Sequence, residues 1–278
     1  MEIEGTVAAI TGGASGIGKA TALEFVRRGA TGVALADVND ERLAEAKKEI
    51  EALGAQALTV HCDVASDDDV DRLRDESLAA FGHVDVVMNN AGVAMLGPGE
   101  GLSMEEWDWI LQINLYGVIR GVRAFVPHLL ERGTGHVVNT ASVAGLYAYS
   151  WDHPAYVTAK HGVVGLTESY ALYLKPHGIG VSLLCPSLVT TNIGDTARLG
   201  GTDAMDRWLG EIPMGNPSSP EEVGVMVADA IRDDRYLILT DPDDVGPKIA
   251  ARGADMDAFV ADQIASLREP PNLYTLDR

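Results

Sequence analysis

Residues 6–18 read Thr-Val-Ala-Ala-Ile-Thr-Gly-Gly-Ala-Ser-Gly-Ile-Gly. Residues 6–10 form a short apolar run that predicts a first β-strand, a glycine-rich turn follows at once, and a helical pattern continues to Arg28. Glycines let a backbone approach a ligand closely, and a helix N-terminus offers N–H donors and the positive end of its dipole. The alternative is an ordinary glycine turn. We expect a pyrophosphate-binding turn whose contacts come from Gly12, Ser15, Gly16, Ile17 and Gly18.

Predicted strands and helices alternate along the rest of the chain. The strands are short apolar runs, and the segments between them have helical periodicity. The predicted strands are residues 6–10, 33–36, 57–61, 84–88, 136–139, 180–184 and 236–239. Alternation of this kind implies a parallel sheet that is covered on both faces. The expected fold class is α/β, a doubly wound, seven-stranded parallel sheet with helices on both faces.

Asp37 ends the second predicted strand, 19 residues after Gly18. A carboxylate in this place can accept hydrogen bonds from the ribose hydroxyls of a dinucleotide. The simpler alternative is a helix-capping aspartate before Asn39. No Arg or Lys occupies positions 14, 15, 38 or 39, where it could bind a 2′-phosphate. The sequence therefore favours NAD over NADP.

The run Tyr156-Val157-Thr158-Ala159-Lys160 lies in a predicted helix, residues 153–175. Positions i and i+4 of a helix share one face, so the phenol and the ammonium are presented side by side. A free tyrosine has a pKa of about 10, and a neighbouring ammonium lowers it. The pair predicts a general acid/base. An ordinary surface pair is the alternative.

Two more polar residues have both a functional and a structural interpretation. Asn114 lies inside a predicted helix over residues 103–132, where an asparagine is commonly an exposed surface amide. Ser142 follows the fifth predicted strand, where its hydroxyl could donate to a carbonyl oxygen or simply belong to a loop.

The composition excludes several kinds of partner. The chain has 278 residues and a formal net charge of −20, which argues against nucleic acid and anionic membrane surfaces. No apolar run is long enough to span a membrane, and the first residues do not resemble a signal peptide. Cys62 and Cys185 lie far apart in or beside apolar runs, which indicates reduced core thiols and no zinc site. We expect a cytoplasmic protein without a bound metal.

A single domain over residues 1–278 is expected, because the chain has no internal repeat and no linker. Residues 188–217 lack a clean period and predict a substrate lid, and residues 241–278 form a C-terminal extension. We expect an apolar substrate pocket, although each wall residue could instead be a core or subunit contact. The predicted walls are Leu146, Tyr147, Tyr149 and Trp151 on one side, and Met205, Trp208 and Met214 of the lid on the other.

Together these residues resemble the short-chain dehydrogenase/reductase family, in its single-domain, Rossmann-type branch. The resemblance covers roughly residues 5–240. It is carried in order by the turn at residues 11–18, Asp63-Val64, Asn89-Asn90-Ala91-Gly92, Asn114, Ser142 and residues 156–160. It implies an NAD-dependent oxidoreductase that interconverts a secondary alcohol and a ketone by hydride transfer.

The resemblance also implies a role for each matched residue. Tyr156 would be the general acid/base, and Lys160 would lower its pKa and bind the nicotinamide ribose. Ser142 would hold the substrate oxygen, and Asn114 would hold a water that links Lys160 to solvent. Further cofactor contacts would come from Asp63 and Val64 at the adenine, Asn90, Ala91 and Gly92 along the groove, and Pro186, Val189 and Thr191 at the carboxamide.

One position departs from the family's pattern, which usually has glycine where this chain has Ser187 after Pro186. Serine has less backbone freedom than glycine, so we expect a slightly shifted nicotinamide or an added hydroxyl contact, without loss of activity. The resemblance further suggests a homotetramer, or a homodimer, that packs through the helices at residues 103–132 and 154–175.

Three functions are compatible with the sequence. The first, which we favour, is an NAD-dependent dehydrogenase of a bulky, mainly apolar alcohol or ketone, such as a terpenoid, steroid or cyclic ketone. The second is a 3-oxoacyl-carrier-protein reductase, which usually needs NADPH. Asp37 opposes NADPH, and the predicted lid has four acids and two arginines, a net charge of −2 that repels an acidic carrier. The third is a non-catalytic NAD-binding regulator, which would not need a Tyr–Lys pair.

Overall fold

The computed structural model describes residues 1–199 and 217–266. Its strands are β1 Val7–Thr11, β2 Gly32–Asp37, β3 Gln56–His61, β4 Val86–Asn89, β5 Met95–Leu96, β6 Gly135–Thr140, β7 Ile179–Cys185, β8 Arg198–Leu199 and β9 Leu237–Leu239. Seven of them form one sheet in the order β3-β2-β1-β4-β6-β7-β9, and every neighbouring pair is parallel. The predicted α/β fold with a seven-stranded parallel sheet is confirmed.

Helices cover both faces of this sheet. They are α1 Gly16–Arg27, α2 Asp40–Ala52, α3 Asp67–Phe81, α4 Met104–Leu111, α5 Gly117–Arg132, α6 Pro154–Leu174, α7 Pro220–Arg232, α8 Pro242–Ala254 and α9 Met256–Ser266. One apolar cluster joins α1, α2 and α7 to the sheet, and a second joins α3, α5 and α6 to the opposite face. None of the helices within residues 1–199 and 217–266 is long and apolar enough to cross a membrane.

The strand order reverses between β1 and β4. Strands β2 and β3 follow β1 on one side of the sheet, and strands β4, β6, β7 and β9 lie on the other side of β1. Connections that diverge from neighbouring parallel strands leave a crevice at the strands' carboxyl ends. Thr11 Oγ1 ties the two strand ends together, because it accepts hydrogen bonds from Asn90 N at 2.9 Å and Ala91 N at 3.2 Å. This crevice is where ligands bind in folds of this type.

The predicted helix at residues 103–132 is interrupted. It consists of α4, a π-helical turn at Gln112–Tyr116, and α5. Asn114 lies in the π-helical turn and is fully buried, so its interpretation as an exposed surface amide was wrong. Its amide donates to Val93 O at 2.8 Å and accepts from Val93 N at 2.8 Å. A π-helical turn changes the direction in which side chains point, and such turns are frequent at functional sites.

Both described ends of the predicted lid are paired. Val189 forms a parallel bridge with Ser218. Thr190 N donates to Ser218 O, and Ser218 N donates to Leu188 O, both at 3.0 Å. Beyond a short 3₁₀ turn at Asn192–Thr196, β8 pairs with β5, and the guanidinium of Arg198 lies 3.8 Å from the centre of the Trp109 ring. Met205, Trp208 and Met214 lie outside the described residues.

Sequence analysis missed helix α8 and the small β5–β8 sheet. The signal for α8 was available, because Asp241 caps the helix by accepting from Asp244 N at 3.2 Å, and Pro242 occupies its first turn. Strands β5 and β8 have two residues each, too few for a period to be read. Helix α8 matters for function, because it reaches the ligand cavity described below.

His136 is the most consequential buried polar group of the core strands. It is 1% exposed, and its Nε2 lies 2.8 Å from Ser182 Oγ. Ser182 Oγ donates its own proton to Arg235 O at 2.6 Å, so Nε2 must be the donor to Ser182. Burial lowers the pKa of His136 to about 3. The imidazole therefore stays neutral in the folded protein, whereas it is protonated below about pH 6.5 in the unfolded chain.

This difference predicts a pH dependence of stability. Between about pH 6.5 and pH 3 the unfolded state binds one more proton, so stability falls as pH falls, by about 1.4 kcal/mol per pH unit. From pH 7 to pH 5, wild type should lose about 2 kcal/mol more of its free energy of unfolding than His136→Gln. Urea denaturation of both proteins at the two pH values measures the difference. Parallel losses in the two proteins would contradict it.

Candidate active site

A cavity of about 910 Å³ opens at the carboxyl edge of the sheet. Its lining includes residues that directly follow β1, β2, β3, β4, β6 and β7, as expected for the crevice between β1 and β4. Most residues singled out from the sequence line it: Gly12, Ser15, Gly16, Ile17, Asp37, Asp63, Val64, Asn90, Ala91, Gly92, Ser142, Tyr147, Tyr149, Tyr156, Lys160, Pro186, Val189 and Thr191. The fold thus brings together residues that are far apart in the chain.

The glycine turn is shaped for close approach of a ligand. Gly12 and Gly16 have φ of +62° and +51°, which glycine adopts readily. A Cβ at Gly12 would lie 2.9 Å from Ala91 Cα, so a side chain there would collide with the opposite wall. Gly18 does not line the cavity, and its direct contact with a cofactor stays a prediction. A Cβ on Gly18 would overlap Gly12 O, so this glycine lets α1 pack against the turn.

The turn and helix α1 fit the phosphates of a dinucleotide. Ser15 precedes the helix, and its side chain makes no capping hydrogen bond to the first turn. The first N–H groups of a helix have no acceptor within the helix, and they can therefore bind an anion. Gly16 and Ile17, at the start of α1, line the cavity. The donors and the space that the glycines leave are those that a pyrophosphate needs.

Asp37 lies at one end of the cavity. Its Oδ1 accepts from Asn39 N at 3.1 Å and its Oδ2 from Ala14 N at 3.3 Å. The helix cap is Asn39, whose side chain accepts from Arg42 N at 3.0 Å, so the capping alternative for Asp37 is wrong. Arg42 also lines this end of the cavity. Arg42 was not predicted from the sequence, because it lies beyond positions 14, 15, 38 and 39, the places where a cation would be expected to bind a 2′-phosphate.

Tyr156, Ser142 and Lys160 line the cavity together. Tyr156 and Lys160 stand one turn apart near the start of α6, as predicted, and Ser142 follows β6. Lys160 is 3% exposed, its Nζ donates to Thr140 O at 3.0 Å, and it lies 5.6 Å from the centre of the Tyr156 ring. Ser142 Oγ accepts from Ala144 N at 3.1 Å.

Burial shifts the pKa values of both Tyr156 and Lys160. Burial raises the pKa of the Tyr156 phenol, and a hydrogen bond with Ser142 opposes the rise without reversing it. Burial lowers the pKa of the Lys160 ammonium to about 8. The predicted role of Lys160, to lower the pKa of Tyr156 through its charge, stays a prediction, and burial acts against it. Removal from water disfavours both the Tyr156 phenolate and the Lys160 ammonium. The spacing of the two residues in the sequence does not show this effect.

Asn114 lies behind the cavity and does not line it. Its amide holds the backbone of Val93, which follows Gly92 along the groove. A Cβ on Gly92 would lie 3.2 Å from Asn114 Oδ1 and 3.5 Å from Lys160 Nζ, so the amide and the ammonium flank this glycine. The geometry assigns Asn114 a positioning contact, and its predicted water-holding role stays a prediction.

Ser187 fits its position without strain. Among the described residues, Asp234 is the non-glycine residue with positive φ, so Ser187 has no need of glycine's freedom. Its N–H donates to Thr240 Oγ1 at 2.9 Å, and it lines the cavity. Ser187 therefore adopts an ordinary backbone conformation, in which the smaller freedom of serine is sufficient.

The predicted substrate walls are placed unevenly. Tyr149 and Tyr147 line the cavity, but Tyr147 is 3% exposed and packs edge-on against Phe259, with ring centres 5.8 Å apart. Leu146 and Trp151 do not line this cavity, and their assignment as pocket walls stays a prediction. Leu146 is instead half-buried against the apolar clusters behind the cavity. Aromatic bulk in the sequence did not reveal which side of the loop each residue would face.

Several lining residues were missed. They include Val93, Ala94, Met95, Leu96, Val143, His153, Ile193, Thr196, Asp244 and Lys248. Most are apolar residues of short connections, which carry no period to mark them. Asp244 and Lys248 come from α8, where Lys248 Nζ bonds Asp244 Oδ2 at 2.6 Å. His153 was noted only as the start of a helix.

Comparison with known proteins places this geometry in a family. A family model described as "short chain dehydrogenase" matches residues 6–200. The chain is 37% identical to the 3beta-hydroxysteroid dehydrogenase 2 of Eggerthella lenta over 232 residues, which are 81% of this chain and 87% of that protein. It is 34% identical to a 3-oxoacyl-[acyl-carrier-protein] reductase of Thermotoga maritima over 227 residues, 82% and 90% of the two chains.

A solved structure is similar over almost the whole length. It is a short chain dehydrogenase/reductase from Burkholderia phymatum in complex with NAD, 35% identical, with a TM-score of 0.85. The match covers 93% of this chain and 96% of that one. The protein therefore belongs to the short-chain dehydrogenase/reductase family and is an oxidoreductase that acts on CH–OH groups.

Proposed function

We propose that the protein is an NAD-dependent dehydrogenase that interconverts a secondary alcohol and a ketone on a bulky, mainly apolar substrate. The observation that carries the proposal is the shared cavity. Tyr156, Ser142 and Lys160 line the same continuous space as the glycine turn and Asp37. A nicotinamide dinucleotide held by the turn would thus extend towards the phenol.

The chain's own residues would hold the substrate and move its proton. NAD, when bound, supplies the hydride acceptor, and NADH the donor. In the direction of oxidation, the Tyr156 phenolate would take the hydroxyl proton of the alcohol. In the direction of reduction, the phenol returns that proton to the carbonyl oxygen. Ser142 Oγ donates to the same oxygen, and the Lys160 ammonium favours the phenolate.

The raised pKa of Tyr156 affects the two directions differently. At neutral pH the phenol keeps its proton, which is the form needed to reduce a ketone. Oxidation needs the phenolate, whose fraction rises about tenfold per pH unit below the pKa. A proton carrier with a raised pKa therefore favours reduction near neutral pH and oxidation at alkaline pH.

Asp37 supports NAD over NADP. Its carboxylate would accept hydrogen bonds from ribose hydroxyls, and it would repel a 2′-phosphate. Two unit charges 4 Å apart interact by about 4 kcal/mol at an effective dielectric of 20. About 2 kcal/mol left after screening corresponds to roughly 30-fold discrimination. Arg42 at the same end of the cavity weakens this repulsion, so we propose a preference of at least about tenfold.

The apolar character of the substrate is supported by the lining near Tyr156. Val93, Leu96, Val143 and Ile193 line the same cavity as Tyr156 with aliphatic side chains. A bulky ring system buries such surface from water, whereas a small charged hydroxy acid would leave it unfilled. The similarity to a hydroxysteroid dehydrogenase agrees with this substrate class.

Reduction of a 3-oxoacyl carrier protein remains the second candidate, and the similarity to the Thermotoga maritima reductase favours it. Asp37 opposes the NADPH that this role usually needs. A non-catalytic NAD-binding regulator is a poorer fit, because regulation alone would not require Tyr156 and Lys160 to share a buried cavity. The predicted homotetramer stays a prediction. Exposed apolar residues on its proposed interface helices, Met104 and Leu172 among them, agree with it.

Tyr156→Phe should remove nearly all turnover while NAD still binds. The change deletes the hydroxyl that transfers the proton and little volume, and general acid/base catalysis is typically worth about 10²–10⁴-fold in rate. Turnover is followed by NADH absorbance on a panel of apolar secondary alcohols, and NAD binding by calorimetry. The matched control is Tyr173→Phe, which removes a half-exposed phenol near the far end of α6 and should behave as wild type. Activity of Tyr156→Phe within a few-fold of wild type would overturn the assignment.

Asp37→Ala should shrink the preference for NAD over NADP. Wild type should favour NAD by at least about tenfold in kcat/KM, and the variant should lose most of this ratio because the repelling carboxylate is gone. Adding Val38→Arg should reduce the ratio further by pairing with the phosphate. Asp40→Ala is the charge-matched control, since Asp40 is a nearby exposed acid outside the cavity lining. Equal efficiencies with NAD and NADP in wild type would contradict the proposed role of Asp37.

A further inference from the structure

Asp152 and His153 form a buried pair directly before Tyr156, and the roles proposed above do not use it. Asp152 Oδ1 lies 2.6 Å from His153 Nδ1 and accepts a second hydrogen bond from Ser150 Oγ at 2.5 Å. Asp152 is 1% exposed and His153 6%. The backbone is fixed as well, because Gly97 N donates to Asp152 O at 2.5 Å. The imidazole is thus held in one orientation.

This arrangement sets the tautomer of His153. An ionised carboxylate can only accept, so Nδ1 carries the proton that it donates to Asp152, and in the neutral ring the lone pair is on Nε2. Nε2 is buried, and no group in the described part of the chain forms a hydrogen bond with it. Buried polar atoms in folded proteins almost always have a partner, since an unpaired one is unfavourable. A partner outside the described residues would account for this atom, and a substrate in the cavity that His153 lines could supply it.

The position of the ring indicates what that partner is. His153 lines the cavity beside Tyr156, with ring centres 6.3 Å apart. Val93 and Met95 pack with Tyr156 in one apolar cluster, and Ser142 serves the reacting oxygen. Tyr149, which is 44% exposed and also lines the cavity, lies next to the imidazole, with ring centres 4.9 Å apart. A group hydrogen-bonded to Nε2 would therefore sit near the oxygen that Tyr156 serves.

We propose that His153 Nε2 accepts a hydrogen bond from a second hydroxyl of the substrate, on a carbon next to the reacting carbinol. The proposal rests on the function proposed above and narrows its substrate class to vicinal diols, and the related hydroxyketones, on an otherwise apolar body. Asp152 is a positioning residue, which acts by holding the proton on Nδ1.

The test compares an alcohol with its matched diol. The substrates are indan-1-ol and indane-1,2-diol, as cis and trans isomers, with saturating NAD. Wild type should show a kcat/KM for one diol isomer at least about tenfold above that for the mono-alcohol, the worth of one well-made buried hydrogen bond. His153→Phe keeps a flat ring and removes both nitrogens. It should cancel the diol preference, mainly by raising KM for the diol more than KM for the mono-alcohol.

Two further variants separate hydrogen bonding from packing. His153→Gln carries a carboxamide oxygen that can accept, so it should restore part of the preference. Asp152→Asn offers an N–H to Nδ1, which moves the ring proton to Nε2 and should abolish the preference although the imidazole remains. His177→Phe is the matched control, a histidine beyond α6 that should leave the preference unchanged. Thermal unfolding confirms that each variant is folded.

The possible results separate the second-hydroxyl site at His153 from the proposed dehydrogenase activity. If wild type oxidises the alcohol and the diol equally well, or if His153→Phe lowers both to the same extent, the second-hydroxyl site is refuted and the proposed dehydrogenase stands. If wild type oxidises none of these compounds and reduces none of the corresponding ketones, both proposals fall. A diol preference that only His153 and Asp152 variants remove would establish the site.

Discussion

The burial of Lys160 beside Tyr156 is the constraint on which the rest of the site depends. An ammonium that is 3% exposed needs acceptors and a protein environment that tolerates its charge. Thr140 O is one acceptor, and Gly92 leaves the space in which Nζ lies close to the groove. The same removal from water raises the pKa of the phenol and lowers that of the ammonium. The chemistry of the site is therefore set by desolvation as much as by the spacing of the two residues.

The parallel sheet makes this arrangement possible. Because all seven strands run in one direction, their carboxyl ends meet at one edge, and the reversal between β1 and β4 opens the crevice there. Residues from six strand ends then share one cavity. Helix α6 presents Tyr156 and Lys160 to this edge, and the π-helical turn puts the buried amide of Asn114 behind Gly92. Fold and site are thus consequences of the same alternation of strands and helices.

The sequence predicted the sheet, the cofactor turn and the Tyr–Lys pair, because each depends on local patterns with a fixed spacing. It did not predict the π-helical turn, since the amide of Asn114 finds its partner in Val93, 21 residues away. The walls of the substrate pocket were the least predictable part, because Leu146 and Trp151 belong to a loop. Packing, and not local spacing, decides which way the side chains of such a loop point. His153 escaped notice for the same reason: its role depends on a buried carboxylate and an unpaired nitrogen, which only three-dimensional contacts reveal.

The most direct test of the account is the pH profile of alcohol oxidation. At saturating NAD, kcat/KM for an accepted secondary alcohol should rise with a slope of about one between pH 6 and pH 8, because oxidation needs the Tyr156 phenolate, burial keeps the pKa of Tyr156 high, and Lys160, with a pKa of about 8, still carries its charge in this range. The residual activity of Tyr156→Phe should lack this rise. A flat profile in the wild-type enzyme, or the same rise in both proteins, would show that Tyr156 does not carry the proton.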